Sequence, residues 1–194
     1  MIVYLGMPKC ASTWLWNKIS YNFDYTGKKE PHTLVEQGRA NNAIVDFSTN
    51  NWSMDSSTAK MIDSSVSKYI FIVRDPIELA TSYYLQTAME GESFNDFVAT
   101  LVNTKLLCFG DIIERWYNLV DRNKILTYDY DKDIKNNQDR FIQDICSKLS
   151  INGYDKSQPL DQKVLETKNK PKLECDKNLL DTLQKQMDKF NQIR

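Results

Sequence analysis

Histidine occurs once in the chain, at His32, and the four cysteines, Cys10, Cys108, Cys146 and Cys175, stand far apart with no C-x-x-C pair among them. One imidazole and scattered thiols do not compose a zinc site, so no metal is expected. No apolar run approaches the roughly 18 residues that a membrane-spanning helix needs. Neither sign of charge is in excess. Lys and Arg total 25 against 26 Asp and Glu, a net charge of −1, which argues against a broad nucleic-acid surface and requires any anion site to be built locally. No repeat or low-complexity linker is present. Met1 leads straight into an apolar run with no basic region before it, which with the unpaired cysteines gives the expectation of a cytoplasmic protein carrying reduced thiols.

What is present is an ordinary globular balance: 194 residues, 41% hydrophobic and 26% charged, enough for one domain, 1–194, with a full core. Short runs rich in Ile and Val read as buried parallel strands at Ile2–Leu5, Ala43–Phe47, Tyr69–Val73 and Ile125–Tyr128, with a weaker candidate at Tyr25–Thr26. Helical spacing marks Ser12–Tyr21, Ser56–Ser65, Pro76–Met89, Phe94–Val102, Gly110–Leu119, Lys132–Leu149 and Asp176–Phe190. The alternation predicts an α/β fold in three layers. A central parallel sheet of about four to five strands would carry helices on both faces. Ligands bind such sheets beyond the carboxyl ends of the strands. Gly6–Thr13, Ser48–Asn51 and Arg74–Ser82 are therefore the loops to inspect.

The first is the opening stretch, MIVYLGMPKCASTWLW. A strand, a tight loop and a helix start in this order direct backbone N–H groups at one anion. The Walker pattern G-x-x-x-x-G-K-[ST] nearly fits from Gly6, but Ala11 and Ser12 stand where Gly and Lys belong, and the lysine is earlier, at Lys9. Cys10 reads either as a small loop filler or as a reactive thiol near a helix N-terminus. The second follows the strand YIFIV, as RDPIELATSYY. Arg74 offers a planar fork matched to phosphate, and Ser82, eight residues on, offers a hydroxyl. The plainer alternative pairs Arg74 with Asp75 or Glu78 and packs Ser82 within its helix.

Taken together and in order, PKCASTW resembles the 5′-phosphosulfate loop, and RDPIELATSYY the 3′-phosphate motif, of sulfotransferases that use 3′-phosphoadenosine-5′-phosphosulfate (PAPS). GDIIERWYNLV and ILTYDYD are more diffusely similar to the family's later helix and strand. The resemblance implies a P-loop-like fold and transfer of a sulfuryl group from PAPS, leaving adenosine 3′,5′-bisphosphate (PAP). It implies a catalytic role for Lys9 and 5′-phosphate contacts from the Pro8, Lys9, Cys10, Ala11, Ser12 and Thr13 loop. Trp14 would stack on adenine, and Arg74 and Ser82 would take the 3′-phosphate. The early lysine then makes chemical sense. An NTPase lysine holds β- and γ-phosphates with Mg²⁺, whereas here the charge is needed at the single bridging oxygen from which the sulfuryl group departs.

The segment GKKEPHTLVEQG resembles the KE-x-H segment of the glycan and protein O-sulfotransferase branch, which makes Glu30 the candidate general base and His32 its orienting partner or a substrate contact. His32 as the sole base is the competing assignment. The pair Thr33-Leu34 departs from the two aromatics usual there. Beyond IVDF, Asp46, Ser48, Thr49 and Asn50 are candidate contacts to the acceptor, or plain turn residues. Lys168 and Lys170, in a late lysine cluster, are candidates for the 3′-phosphate, or belong to a solvated loop. Trp14 and Trp16, two residues apart on one helix, cannot face one ligand, which leaves Trp16 to the core. The expected acceptor is a small molecule or glycan presenting a hydroxyl or amine. A P-loop-like nucleotide kinase and a non-catalytic module that binds nucleotide or a sulfated ligand are the competing functions.

Overall fold

A computed structural model describes residues 1–22, 29, 45–151 and 173–194, with the side chains of 20–22 left aside. Within them four strands form one parallel sheet: β1 (Ile2–Tyr4), β2 (Val45–Asp46), β3 (Lys68–Val73) and β4 (Ile125–Asp129), in the order β2-β1-β3-β4. Every residue of β1, β2 and β3 except Lys68 is buried. A strand covered on both faces has no use for alternating polar residues, hence the unbroken apolar runs.

Which helix covers which face follows from register. Tyr69 and Phe71 of β3 point to one side. Tyr69 packs against Trp116 of α5 (Phe109–Leu119) at 5.5 Å between ring centroids, and Phe71 against Phe190 of α7 (Lys177–Ile193) at 6.1 Å. Tyr128 pairs with Ile72 across β3 and β4, so it faces the other side, where it meets Phe141 of α6 (Gln138–Lys148) edge-on at 4.8 Å. Phe141 in turn stacks on Trp14 of α1 (Ser12–Asn22). Helices thus cover both faces of the sheet. Gly110 lets α7 lie close on α5: a Cβ there would come within 2.7 Å of Lys189 Cβ and 2.8 Å of the Gln186 carbonyl oxygen.

The remaining described helices, α2 (Ser56–Ile62), α3 (Pro76–Thr87) and α4 (Phe94–Asn103), start at side-chain caps. Asp55 accepts from the Ser57 and Thr58 amides, Asp75 from Glu78, and Ser93 from Asp96. Each cap satisfies amides that the first helical turn leaves without partners. Pro76 occupies the first turn of α3, where its lacking N–H costs nothing.

Two expected helices are divided. Ser56–Ser65 is α2 followed by a tighter 3₁₀ turn at Asp63–Ser65. Lys132–Leu149 is not one helix: a π turn, Tyr130–Ile134, precedes α6. Carboxylates divide this second helix. Asp129 Oδ1 accepts from the amides of Asp131 and Lys132, and Asp133 Oδ2 from the amide of Asp129, which ties the backbone into a local turn. The candidate strand at Tyr25–Thr26 lies outside the described residues. Among the described residues no helix is long and apolar enough to cross a membrane.

From β1 the chain moves to β2 on one side, and β3 then takes its place on the other side of β1. β1 ends at Tyr4, opposite Ile70, and β3 runs on past it to Val73. Between these two strands lies the switch point of the sheet, where the connections diverge and leave a crevice at the carboxyl edge.

Candidate active site

The loop after β1 turns through two left-handed residues, Lys9 (φ 67°) and Ala11 (φ 60°). Neither is glycine, so each pays for an unfavourable backbone conformation that its neighbours must hold in place. Tyr4 does part of this. Its hydroxyl donates to the Cys10 carbonyl oxygen at 2.7 Å, in a buried bond across the loop. The Cys10 amide donates to the Met7 carbonyl oxygen at 3.3 Å, and the Leu15 amide to that of Ala11 at 2.9 Å. Gly6 is needed for the same reason, since a Cβ there would overlap the hydroxyl and ring of Tyr4. Gly6→Ala is expected to destabilise the fold by about 1–3 kcal/mol, as overpacking does. A urea unfolding curve measures this, and an unchanged midpoint would show that the Tyr4 strut gives way freely.

Cys10 is buried, and desolvation pushes its thiol up to about 12, against the opposing pull of the Arg74 charge. It is therefore a loop filler rather than a reactive thiol. Lys9 is only partly buried, and desolvation lowers its ammonium below the ordinary lysine range. Ser12 is buried, Thr13 half-buried, and the first turn of α1 carries no acidic residue. The amides that open α1 have no preceding turn to bond to, and no carboxylate of that turn competes with an incoming anion.

Arg74 leaves the end of β3 beside this loop, close enough for its charge to act on the Cys10 thiol. One of its terminal nitrogens donates to Glu78 Oε2 at 2.5 Å. Its guanidinium lies over the Tyr130 ring, 5.1 Å from the centroid. Its Nε–H is buried with no acceptor among the described residues. A buried cationic donor left without a partner is costly, and a bound anion or water is what satisfies such a group. Ser82 is buried on α3 two turns further on. The plainer sequence reading of a pair with Glu78 is thus part of the truth: the pair forms, and it leaves Nε unused. Tyr130 and Asp131, which accepts from the Asp75 amide at 3.1 Å, were not singled out from sequence. They follow β4 at the same carboxyl edge, so extending the strand-end rule to that loop finds them.

Trp14 is half-buried, with one stacked contact to Phe141 at 6.0 Å. Trp16 is buried against Phe47 at 5.8 Å, so the two indoles do face different partners. Asp46 is buried and organises its own loop. Its Oδ1 accepts from the Ser48 amide at 2.8 Å and from Asn51 Nδ2 at 3.0 Å, while Oδ2 and Asn51 Oδ1 have no partner among the described residues. Ser48 is buried, and Thr49 and Asn50 are half-buried. The loop is pinned from α5, where Trp116 Nε1 and Arg115 both donate to the Trp52 carbonyl oxygen, at 3.1 and 3.0 Å. Glu30, His32, Lys168 and Lys170 lie outside the described residues.

The chemistry of the donor set suits a nucleotide carrying two separate anionic groups. One is a helix-start loop with a nearby lysine, the other an arginine with an unused buried donor, and the two flank the β1–β3 crevice.

A family model described as "Sulfotransferase domain" matches residues 2–192. No curated protein sequence matches. Among solved structures, the chain is similar to a sulfotransferase from Alicyclobacillus acidocaldarius, with a TM-score of 0.69 and 14% identity over 99% of this chain and 94% of that one. It is also similar to the mouse sulfotransferase SULT7A1 complexed with PAP, with a TM-score of 0.57 and 19% identity over 99% of this chain and 81% of that one. At such identities the likeness shows the fold.

Proposed function

Given that the chain belongs to the sulfotransferase domain family, we propose that the crevice between β1 and β3 binds PAPS through the two loops and serves an acceptor hydroxyl or amine. The observation that carries this is the buried Nε–H of Arg74, without an acceptor among the described residues, beside a loop that ends at the start of α1. When bound, PAPS supplies the sulfuryl group.

The chain's own residues divide the remaining work. The backbone from Pro8 to Ala11, with the Ser12 and Thr13 hydroxyls, holds the 5′-phosphate. Arg74 and Ser82 hold the 3′-phosphate, with Lys168 or Lys170 closing over it. Trp14 offers its free indole face to the adenine. Lys9 places positive charge at the bridging oxygen, where negative charge grows as transfer proceeds, and stands ready to give it a proton. Its lowered proton affinity makes that donation easier. Glu30 takes the acceptor's proton on its carboxylate, with His32 orienting it, as in the glycan and protein branch with the KE-x-H segment. Asp46, Ser48, Thr49 and Asn50 line the acceptor side. Asp46 acts from beneath, by fixing the loop.

The test is Arg74→Ala, read by calorimetric titration with PAP and with adenosine 5′-monophosphate (AMP), which differ only in the 3′-phosphate. Loss of a charge-assisted, forked contact is expected to weaken PAP binding by about 2–4 kcal/mol and to leave AMP binding nearly unchanged. Equal losses for both ligands would refute the assignment.

A further inference from the structure

We propose that Glu78 is an internal counter-anion for the 3′-phosphate site: it occupies Arg74 until nucleotide arrives, weakens the hold on the 3′-phosphate, and so keeps release of the bisphosphate product fast. This rests on the reading of Arg74 as the 3′-phosphate anchor.

The two partners of the pair are unequally placed. The Arg74 side chain is 16% exposed and the Glu78 side chain 44%. Arg74 is also fixed by the face of Tyr130 and by its position at the end of a buried strand. Glu78 is anchored only at its backbone, where its amide donates to Asp75 Oδ1 at 2.8 Å in the first turn of α3. Any exchange of partners at the guanidinium therefore proceeds by Glu78 swinging out into water, which rehydrates its carboxylate at little cost. Arg74 stays where it is. The N–H groups of a guanidinium lie in its plane, so with Tyr130 over one face the group meets an anion at its edge. One terminal nitrogen of that edge is bonded to Glu78 Oε2 at 2.5 Å, and Nε–H is unused. A phosphate can be met at Nε–H, but a carboxylate held on the same cation repels it and competes for the second donor. The nucleotide pays to displace Glu78, and Glu78 returns when the nucleotide leaves.

A ligand without a 3′-phosphate does not encounter this competition. Glu78→Gln, which keeps size and helix register while removing the charge, is thus expected to tighten PAP binding by about 3–5-fold, in the upper range of a partly exposed ion pair. PAP dissociation in stopped-flow should slow by a similar factor, and AMP affinity should change less than about 2-fold. Glu78→Ala should act in the same direction. In an Arg74→Ala background Glu78→Gln should give no tightening. Weakened or unchanged PAP binding in both Glu78 variants overturns the proposal, because it would mean that the carboxylate only holds Arg74 in position. The outcomes separate cleanly. If Arg74→Ala weakens PAP and AMP alike, the anchor reading itself fails. If Arg74→Ala is selective for PAP but the Glu78 variants do not tighten it, only the counter-anion fails.

Discussion

Replacing Lys9 by alanine is expected to lower kcat by about 10²–10³-fold, the loss seen when an oxyanion-type donor is removed, and to change PAP affinity far less. The difference follows from where the charge is. The bridging oxygen carries more negative charge in the transition state than in the bound ground state, so a lysine aimed at it contributes mostly to kcat. Lys9 is suited to this by position as well as chemistry. It sits at a left-handed turn, in a loop pinned by the Tyr4 hydroxyl on the next residue's carbonyl oxygen, and it is partly desolvated. Desolvation also sets the direction expected for the basic limb of the kcat/KM profile, which reports the free enzyme. With protonated Lys9 as the active form under this proposal, kcat/KM is expected to fall as pH rises through a value below the ordinary lysine range. A wild-type kcat in Lys9→Ala would make the residue a surface lysine.

Glu30→Gln is expected to lower transfer by about 10²–10⁴-fold, the contribution of a placed general base, with PAP binding intact. The amide matches the carboxylate in size but does not take up a proton at neutral pH. His32→Ala should do less harm if the imidazole only orients the base. The kcat/KM profile of the wild type gives an independent reading. A carboxylate base puts the acid limb near its reference of about 4.3 or somewhat above, and a histidine base puts it near about 6.5. Full activity in Glu30→Gln together with inactivity in His32→Ala would transfer the role to the histidine.

Much of this was legible in the chain itself, for identifiable reasons. β3 announces itself by the unbroken buried apolar run Tyr69–Val73, and β4 by Ile125, Leu126 and Tyr128 within Ile125–Asp129. The starts of α3 and α4 are visible because Asp75-Pro76 and Ser93 are chemically committed to capping. The false continuity of Lys132–Leu149 arose because Ile134, Phe141, Ile142 and Ile145 keep helical spacing across the turn that Asp129 and Asp133 impose. Side-chain bonds of that kind leave no mark on hydrophobic periodicity. Tyr130 was passed over because an aromatic after a strand reads as packing, and only the fold brings it under the Arg74 guanidinium. The role of Gly6 was likewise hidden. The residue it accommodates is Tyr4, two positions earlier, whose phenol crosses back over the loop. Lys9 and Arg74 stand in the loops that follow β1 and β3, and Ser82 is buried two turns into α3.

The most direct test of the two-loop nucleotide site is calorimetric titration of the wild-type chain with PAP in the presence of a chelator, set beside ATP with Mg²⁺. One loop without a Walker lysine and one arginine with a spare donor should bind PAP saturably with no metal, and ATP with Mg²⁺ much more weakly. Tight binding of ATP with Mg²⁺, with no heat from PAP, would contradict the account and point instead to a nucleotide kinase.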